Sequence, residues 1–368
     1  MSGMMQYPNT SQVSASALRD WLQGIFLRLS FSEADAIQAA DVLIMSDLRG
    51  IDSHGVARLS GYVRLVEGGR INPKPQLQFT QRKRATGHLE ADGAIGLVSA
   101  PFAMQKALEM THECGSGWVG ISNSNHFGIA AYHAMMALPH NYIGFSTTNA
   151  SPLVTPAGGA ERMLGTNPIC VAVPAGNEPA FVLDMATAAA ANGKLEIAER
   201  VQKPIPAGWA LTQTGEDTTN ASALKQGGML LPLGSDADHG AHKGYGLGAW
   251  VDIFSGVLNG ANFGPWVPPF VSFLQPRPDQ PGKGLGHFVG AWDVDGFRDL
   301  ADFQRDMDLW IQRFKATKPL NSNKPVIVPG EPEMQEYTVR QSQGIPLVDA
   351  VVKDLEAVGE ALKHPFNP

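Results

Sequence analysis

The run Asp236-Ala237-Asp238-His239-Gly240-Ala241-His242-Lys243-Gly244-Tyr245-Gly246-Leu247-Gly248-Ala249 decides the fold. Residues 244–249 match G-x-G-x-x-A, the dinucleotide fingerprint, which works only where a strand turns into a helix and presents its N-terminus to a pyrophosphate. Here the preceding residues are polar and charged rather than a strand, and no acidic residue follows at the distance a ribose hydroxyl requires. The chain is therefore not read as a Rossmann fold. Asp236, Asp238, His239 and His242 match no standard ligand spacing, so a polar loop is expected and no metal. Lys243, just before a helix expected over 245–258, is a candidate phosphate or carboxylate contact.

Outward from that run the chain has a helical start, a mixed α/β middle and a helical end. Leu18, Leu22, Ile25, Phe26 and Leu29 keep helical spacing, and Ser32 is placed to cap a helix over 33–48. Further helices are expected over 53–69, over 100–113 with Ser99 as cap and Pro101 in the first turn, and over 130–138, 186–201, 300–314 and 335–363. Apolar runs at 118–121, 142–148, 169–173, 181–183 and 288–292 read as strands. This order predicts a mixed α/β protein in which both termini, 1–80 plus 318–368, build one helical domain around an inserted α/β domain, 81–317. Pro73 and Pro75 mark the first boundary.

The 368 residues suffice for a full core, and the net charge of −7 without a Lys/Arg-rich run argues against nucleic acid. Two cysteines support neither a disulfide framework nor a thiolate metal site. The polar stretch 1–13 lacks signal-peptide regions and no apolar run approaches the ~18 residues of a membrane span, so a cytoplasmic enzyme is expected.

Five regions carry candidate chemistry. In Asp52-Ser53-His54-Gly55-Val56-Ala57-Arg58, a helix capped by Asp52 or Ser53 would place His54 and Arg58 on one face, roughly 6 Å apart. An imidazole that titrates near neutrality beside a guanidinium that grips carboxylates suits a 2-hydroxy or 2-oxo acid. A surface helix with a capping His and a solvated Arg is the plainer alternative. Ser124-Asn125-His126-Phe127-Gly128 links a strand to a helix, where His126 is either catalytic or a cap and helix N–H groups can receive a phosphate. Gly/Asn/Pro-rich loops at 148–152, 156–159 and 164–168 either offer backbone donors to a pocket or are tight turns. Asp184-Met185-Ala186-Thr187 ends a strand and supplies possible helix caps, and 328–333 is a rigid Pro-Gly-Glu turn.

Taken in order, Asp52-Ser53-His54-Gly55 with Arg58, Asn125-His126-Phe127-Gly128, Thr166-Asn167-Pro168, Leu183-Asp184-Met185-Ala186-Thr187, His242-Lys243-Gly244-Tyr245-Gly246 and Pro329-Gly330-Glu331-Pro332-Glu333 resemble the type 2 malate/L-lactate dehydrogenase family. These are non-Rossmann, NAD(P)-dependent 2-hydroxyacid dehydrogenases that include ureidoglycolate and sulfolactate dehydrogenases and cyclic imino-acid reductases. The resemblance runs from Asp41 to about Leu347.

It implies a homodimer with its own dinucleotide-binding fold and a site between the helical and α/β domains. His54 then resembles the general acid/base on the substrate oxygen, with Ser53 orienting it and Arg58 holding the carboxylate. In some members the histidine matching His126 is named as the base, so the proton-transfer group stays open between the two. His126, Phe127, Gly128, Ile129, Ala130, Thr148, Asp184, Met185, Ala186, Lys243, Gly330 and Glu331 resemble cofactor contacts. The cofactor is NAD or NADP; the lack of an arginine cluster for a 2′-phosphate favours NAD. Cyclic imino-acid reductases carry Asp as partner of the Ser/His pair where this chain has Lys194, which favours a hydroxyacid over the alternative, NADPH-dependent reduction of a cyclic imino acid. The Pro- and aromatic-rich stretch 265–283 is placed to reshape an edge of the site or the dimer surface.

Overall fold

The computed structural model describes residues 10–200 and 202–367; residues 1–9 of the polar N-terminal stretch and position 201, the end of one expected helix, lie outside the described residues. In chain order the elements are β1 (Thr10–Val13), α1 (Ala15–Arg28), α2 (Glu33–Leu48), α3 (Leu59–Glu67), β2 (Gln78–Lys83), β3 (Thr86–Glu90), α4 (Gly96–Cys114), β4 (Ser116–Ser124), α5 (Ala130–Met135), β5 (Tyr142–Thr148), β6 (Ile169–Val173) and β7 (Phe181–Met185). There follow α6 (Asn192–Arg200), β8 (Ala210–Leu211), β9 (Asp217–Thr218), β10 (Met229–Leu230), α7 (Ala241–Ser255), β11 (Leu285–Asp293), α8 (Leu300–Lys315), α9 (Glu331–Gln343), β12 (Ile345–Val348) and α10 (Asp349–Ala361).

A seven-stranded sheet in the order β2-β3-β4-β11-β5-β6-β7 is the centre of the α/β part. Only β3 and β4 run parallel, joined by α4; every other neighbouring pair is antiparallel. A doubly wound dinucleotide sheet is parallel, so this sheet is not of that kind. Residues 244–249, the nominal fingerprint, lie inside α7. There Gly244 lets the helix rest on the Leu233 backbone, where a Cβ would stand 2.1 Å from the carbonyl oxygen.

One face of the sheet is covered by α4 and α5, burying Val119, Ile121, Met104 and Ala134. A separate core joins the two ends of the chain. It holds Leu18, Leu22, Ile25 and Phe26 of α1 with Leu43 and Ile44 of α2, Tyr62 of α3 and Leu355 of α10. Strand β1 pairs antiparallel with β12, and Trp21 donates to the His364 and Pro365 carbonyls. Among the described residues no helix is long and apolar enough to cross a membrane.

Strands β5 and β6 match the expected runs residue for residue, and Ser32 caps α2 by accepting the Asp35 N–H at 3.1 Å. Elsewhere tertiary contacts shift the boundaries. The helix expected over 53–69 is a turn at 52–55, a short 3-10 segment at Val56–Arg58 and only then α3, so neither Asp52 nor Ser53 is its cap. The buried Asp47 carboxylate causes this by accepting the Val56 N–H at 2.8 Å and filling the space above Gly55. Helix α4 starts at Gly96, with Pro101 inside it, because Ser99 is buried against the Ser124 hydroxyl (2.7 Å) instead of capping. The helix expected over 186–201 starts only at Asn192, since Thr187 and Ala189 donate to Thr166 and Leu231 carbonyls. The expected final helix splits at Gly344 (φ +93°), and residues 345–348 become a strand paired with β1.

Candidate active site

The turn at 52–55 gathers three of the expected residues. Ser53 Oγ lies 2.8 Å from His54 Nδ1, and Arg58 Nε donates to the Ser53 carbonyl at 2.5 Å. Arg58 Nη2 is 3.7 Å from Glu196 of α6. That helix comes so close because residue 193 is glycine: a Cβ there would stand 3.0 Å from Ser53 Cβ and 3.4 Å from Arg58 Nη2. Ser53, His54 and Arg58 are thus assembled by turn hydrogen bonds rather than by a shared helical face. Lys194 is exposed, its Nζ 5.7 Å from the centre of the Trp209 ring.

His126 joins this group across the fold. Its ring stacks on that of His54, with centroids 5.8 Å apart and planes inclined by 22°. The Tyr62 hydroxyl lies 2.6 Å from His126 Nδ1, and the Gly128 N–H donates to the same nitrogen at 3.3 Å. Phe270 closes the other side, 4.7 Å from the His126 ring and 5.2 Å from Tyr62. The 265–283 stretch therefore does border the site, held by Arg70 on the Pro268 and Pro269 carbonyls and by Arg64 on that of Phe270. A cleft of about 830 Å³ opens beside Arg58, lined in part by Gly61, Gly193, Phe270 and Leu347.

Burial penalises charge throughout this cluster. It lowers His54 to about 3, with the Arg58 charge adding to the effect, and holds His126 well below the usual imidazole range, aided by His54 and Arg58. The Tyr62 phenol is pushed up by burial and stays protonated. Asp47, beneath the turn, is raised by burial and by neighbouring Asp52.

The expected cofactor residues lie at several places in the fold. His126 to Ala130 lead into α5, whose Ala131 N–H is taken by the Asp184 carboxylate at 2.8 Å. Asp184 therefore caps α5 rather than the helix that follows it in sequence, and burial lifts it to about 6. Met185 and Ala186 follow directly. Gly330, with φ +93°, fits against Val182 of the same strand, and Glu331 pairs with Lys315 at 3.0 Å. Lys243 is exposed in the first turn of α7, a helix that meets Thr187 through Gly248. The Thr148 hydroxyl bonds His287 Nδ1 at 2.7 Å, and His287 Nε2 bonds Ser124 Oγ at 2.8 Å. Two of the Gly/Asn/Pro loops are tied internally: Asn149 to Asn262 and Gly286, Asn167 to Ala150 and Gly248.

Three participants escaped the motifs. Tyr62 reads as one of a run of apolar helix positions, though it stands one turn beyond Arg58. His287 sits at the edge of an apolar strand, and Phe270 in a loop whose path the sequence does not disclose.

The model of the malate/L-lactate dehydrogenase family matches residues 13–356. A malate dehydrogenase of Pyrococcus horikoshii is 36% identical over 353 residues, covering 96% of each chain. An L-sulfolactate dehydrogenase of Methanocaldococcus jannaschii is 34% identical over 318 residues, 86% of this chain and 88% of that one. The solved structure of malate dehydrogenase from Pyrococcus horikoshii OT3 has a TM-score of 0.87 at 33% identity, covering 97% of this chain and 98% of that chain. The chain belongs to the malate/L-lactate dehydrogenase family and is an oxidoreductase acting on hydroxyacids with a nicotinamide cofactor.

Proposed function

We propose that this member of the malate/L-lactate dehydrogenase family interconverts a 2-hydroxy acid and its 2-oxo acid at Ser53, His54, Arg58 and His126. The observation that carries the reading is a neutral imidazole, His54, anchored at Nδ1 by Ser53 and set beside a guanidinium. Arg58 is held through Nε on the Ser53 carbonyl, so its terminal nitrogens remain for the substrate carboxylate. Its 3.7 Å contact with Glu196 is too long for a strong hydrogen bond and yields to that carboxylate. His54 takes the C2 hydroxyl proton at Nε2 in oxidation and returns it in reduction, while Phe270 and Tyr62 wall the site from water.

A bound nicotinamide supplies the acceptor, or in reverse the donor, of the hydrogen at C2. Residues 126–130, Thr148, Asp184 to Ala186, Lys243, Gly330 and Glu331 would hold it. The donor set fits such a group: Lys243 is exposed, and the Nε of Arg49, a residue 3% exposed beside Asp184, has no partner among the described residues. The sequence of these segments lacks an arginine cluster, which favours NAD over NADP.

The active-site residues come from both parts of the fold, His54 from the helical part, ahead of β2, and His126 from the α/β part that follows it. A second copy of the chain is the partner we assign to the apolar patch at the end of α7 and the 3-10 turn after it, where Ile253, Val257 and Leu258 are more than half exposed beside half-buried Trp250 and Phe254. The test is nicotinamide absorbance with a panel of 2-oxo acids and one cyclic imine. Turnover of an oxo acid that falls about 10²–10⁴-fold in His54→Ala supports the reading. Turnover of the imine alone replaces it with imino-acid reduction.

A further inference from the structure

A backbone N–H can only donate, so the Gly128 hydrogen bond to His126 Nδ1 requires a lone pair on that nitrogen. The Tyr62 hydroxyl, 2.6 Å from the same atom, must then donate as well. An imidazole that is neutral and bare at Nδ1 carries its hydrogen on Nε2. Charging this ring would put a hydrogen on Nδ1 against the Gly128 N–H, which cannot turn into an acceptor, so that bond is lost and the Tyr62 hydroxyl must reverse its own.

His54 is held differently. Its Nδ1 faces the hydroxyl of Ser53, which donates or accepts by rotating. That partner suits the neutral ring and the cation alike. Of the two stacked rings, only His126 has a donor-only group, the Gly128 N–H, aimed at its Nδ1.

We propose that His126 is a permanently neutral hydrogen-bond donor to the substrate's C2 oxygen through Nε2–H, that Tyr62 is the positioning residue fixing this tautomer, and that proton transfer belongs to His54. This rests on the hydroxyacid reading of the site. In reduction, the C2 oxygen gains a proton as the His54 N–H bond breaks, and C2 gains a hydrogen with its electron pair from the reduced nicotinamide of the family's reaction. His126 ends as it began, having stabilised charge on the oxygen, the role of an oxyanion donor.

The first test does not depend on turnover. Long-range proton–nitrogen correlation of protein labelled with nitrogen-15 histidine, with the His126 signals identified by their loss in His126→Gln, should show bare Nδ1 and protonated Nε2 unchanged from about pH 5 to 8. Protonated Nδ1, or a cation at about pH 6, overturns the proposal whatever the substrate. In Tyr62→Phe the same signals should shift toward a mixture of tautomers; an unchanged spectrum removes Tyr62 from the role.

The second test uses glutamine, whose amide nitrogen reaches the place of Nε2 and donates but cannot take up a proton. His126→Gln should stay within about tenfold of the parent in kcat, while His126→Leu falls about 10²–10³-fold, as for a lost oxyanion donor. His54→Gln should be as inactive as His54→Ala. A His126→Gln variant as poor as His126→Leu makes His126 a proton-transfer group and overturns the assignment. Failure of every substrate would count against the hydroxyacid reading, whereas the nuclear resonance result stands apart from it.

Discussion

Arg340 Nη1 of α9 lies 2.5 Å from Asp52 Oδ1, tying the end of the chain to the turn that carries Ser53 and His54 across 288 residues. The same guanidinium donates to the Asp47 carbonyl at 2.7 Å and to Glu336 at 2.8 Å, and its side chain is only 8% exposed. Arg340→Met should destabilise the protein by about 1–3 kcal/mol, because the bonds of a buried guanidinium to the Asp47 carbonyl and to two part-exposed carboxylates are lost. Urea unfolding and kcat measured together check this: the midpoint should fall and turnover should fall with it. An unchanged kcat in the folded variant would detach the C-terminal helix from the site.

The acid limb of the pH–rate profile should be displaced. His54 must be neutral to accept a proton in oxidation, and burial and Arg58 hold it down at about 3. The kcat/KM for hydroxyacid oxidation should therefore stay flat through about pH 6.5, where an ordinary imidazole bends the profile. A limb near that value would mean that His54 is solvated in the working enzyme.

Asp252 provides a stability test remote from chemistry. Its Oδ2 accepts the Gly264 N–H at 2.6 Å, its Oδ1 has no partner among the described residues, and burial lifts it from 3.8 to about 6. A carboxyl whose folded pKa lies above its unfolded value contributes stability fully below the unfolded value and loses it as pH rises through the folded one. The window is thus between about pH 4 and 6. Asp252→Asn should gain on the parent across it, by up to about 3 kcal/mol at neutral pH. Equal pH slopes of the two melting temperatures would contradict the burial assignment.

The apolar patch at the end of α7 should govern assembly. Light scattering should give the parent twice the 39.3 kDa chain mass and Leu258→Asp, at the most exposed position of the patch, the single mass, since a charge in a desolvated apolar contact is strongly unfavourable. A monomeric parent would leave that face without the second copy.

Much of the site was legible because its parts are local. Ser53, His54 and Arg58 fall within six residues, and His126 to Ala130 are continuous, so no long-range contact is needed to list them together. The stacking of His54 on His126 was not legible, since it depends on the helical and sheet parts meeting across 71 intervening positions. Nor was the path of 268–273, which is fixed by Arg64 and Arg70 gripping backbone carbonyls.

The sequence by itself determined the strands and helices whose period and caps are internal, such as α1, α2, β5 and β6, and it excluded a Rossmann turn at 244–249. Tertiary structure decided the rest. Asp47 turned the start of an expected helix into the turn at 52–55, and β1 pulled 345–348 out of a helical run into a strand. It also decided the tautomer of His126, through Tyr62 and Gly128. In each case a buried polar group had to be satisfied by a partner from elsewhere, and leaving a buried donor or acceptor unpaired, about 1–3 kcal/mol, outweighs the few tenths that local propensity offers.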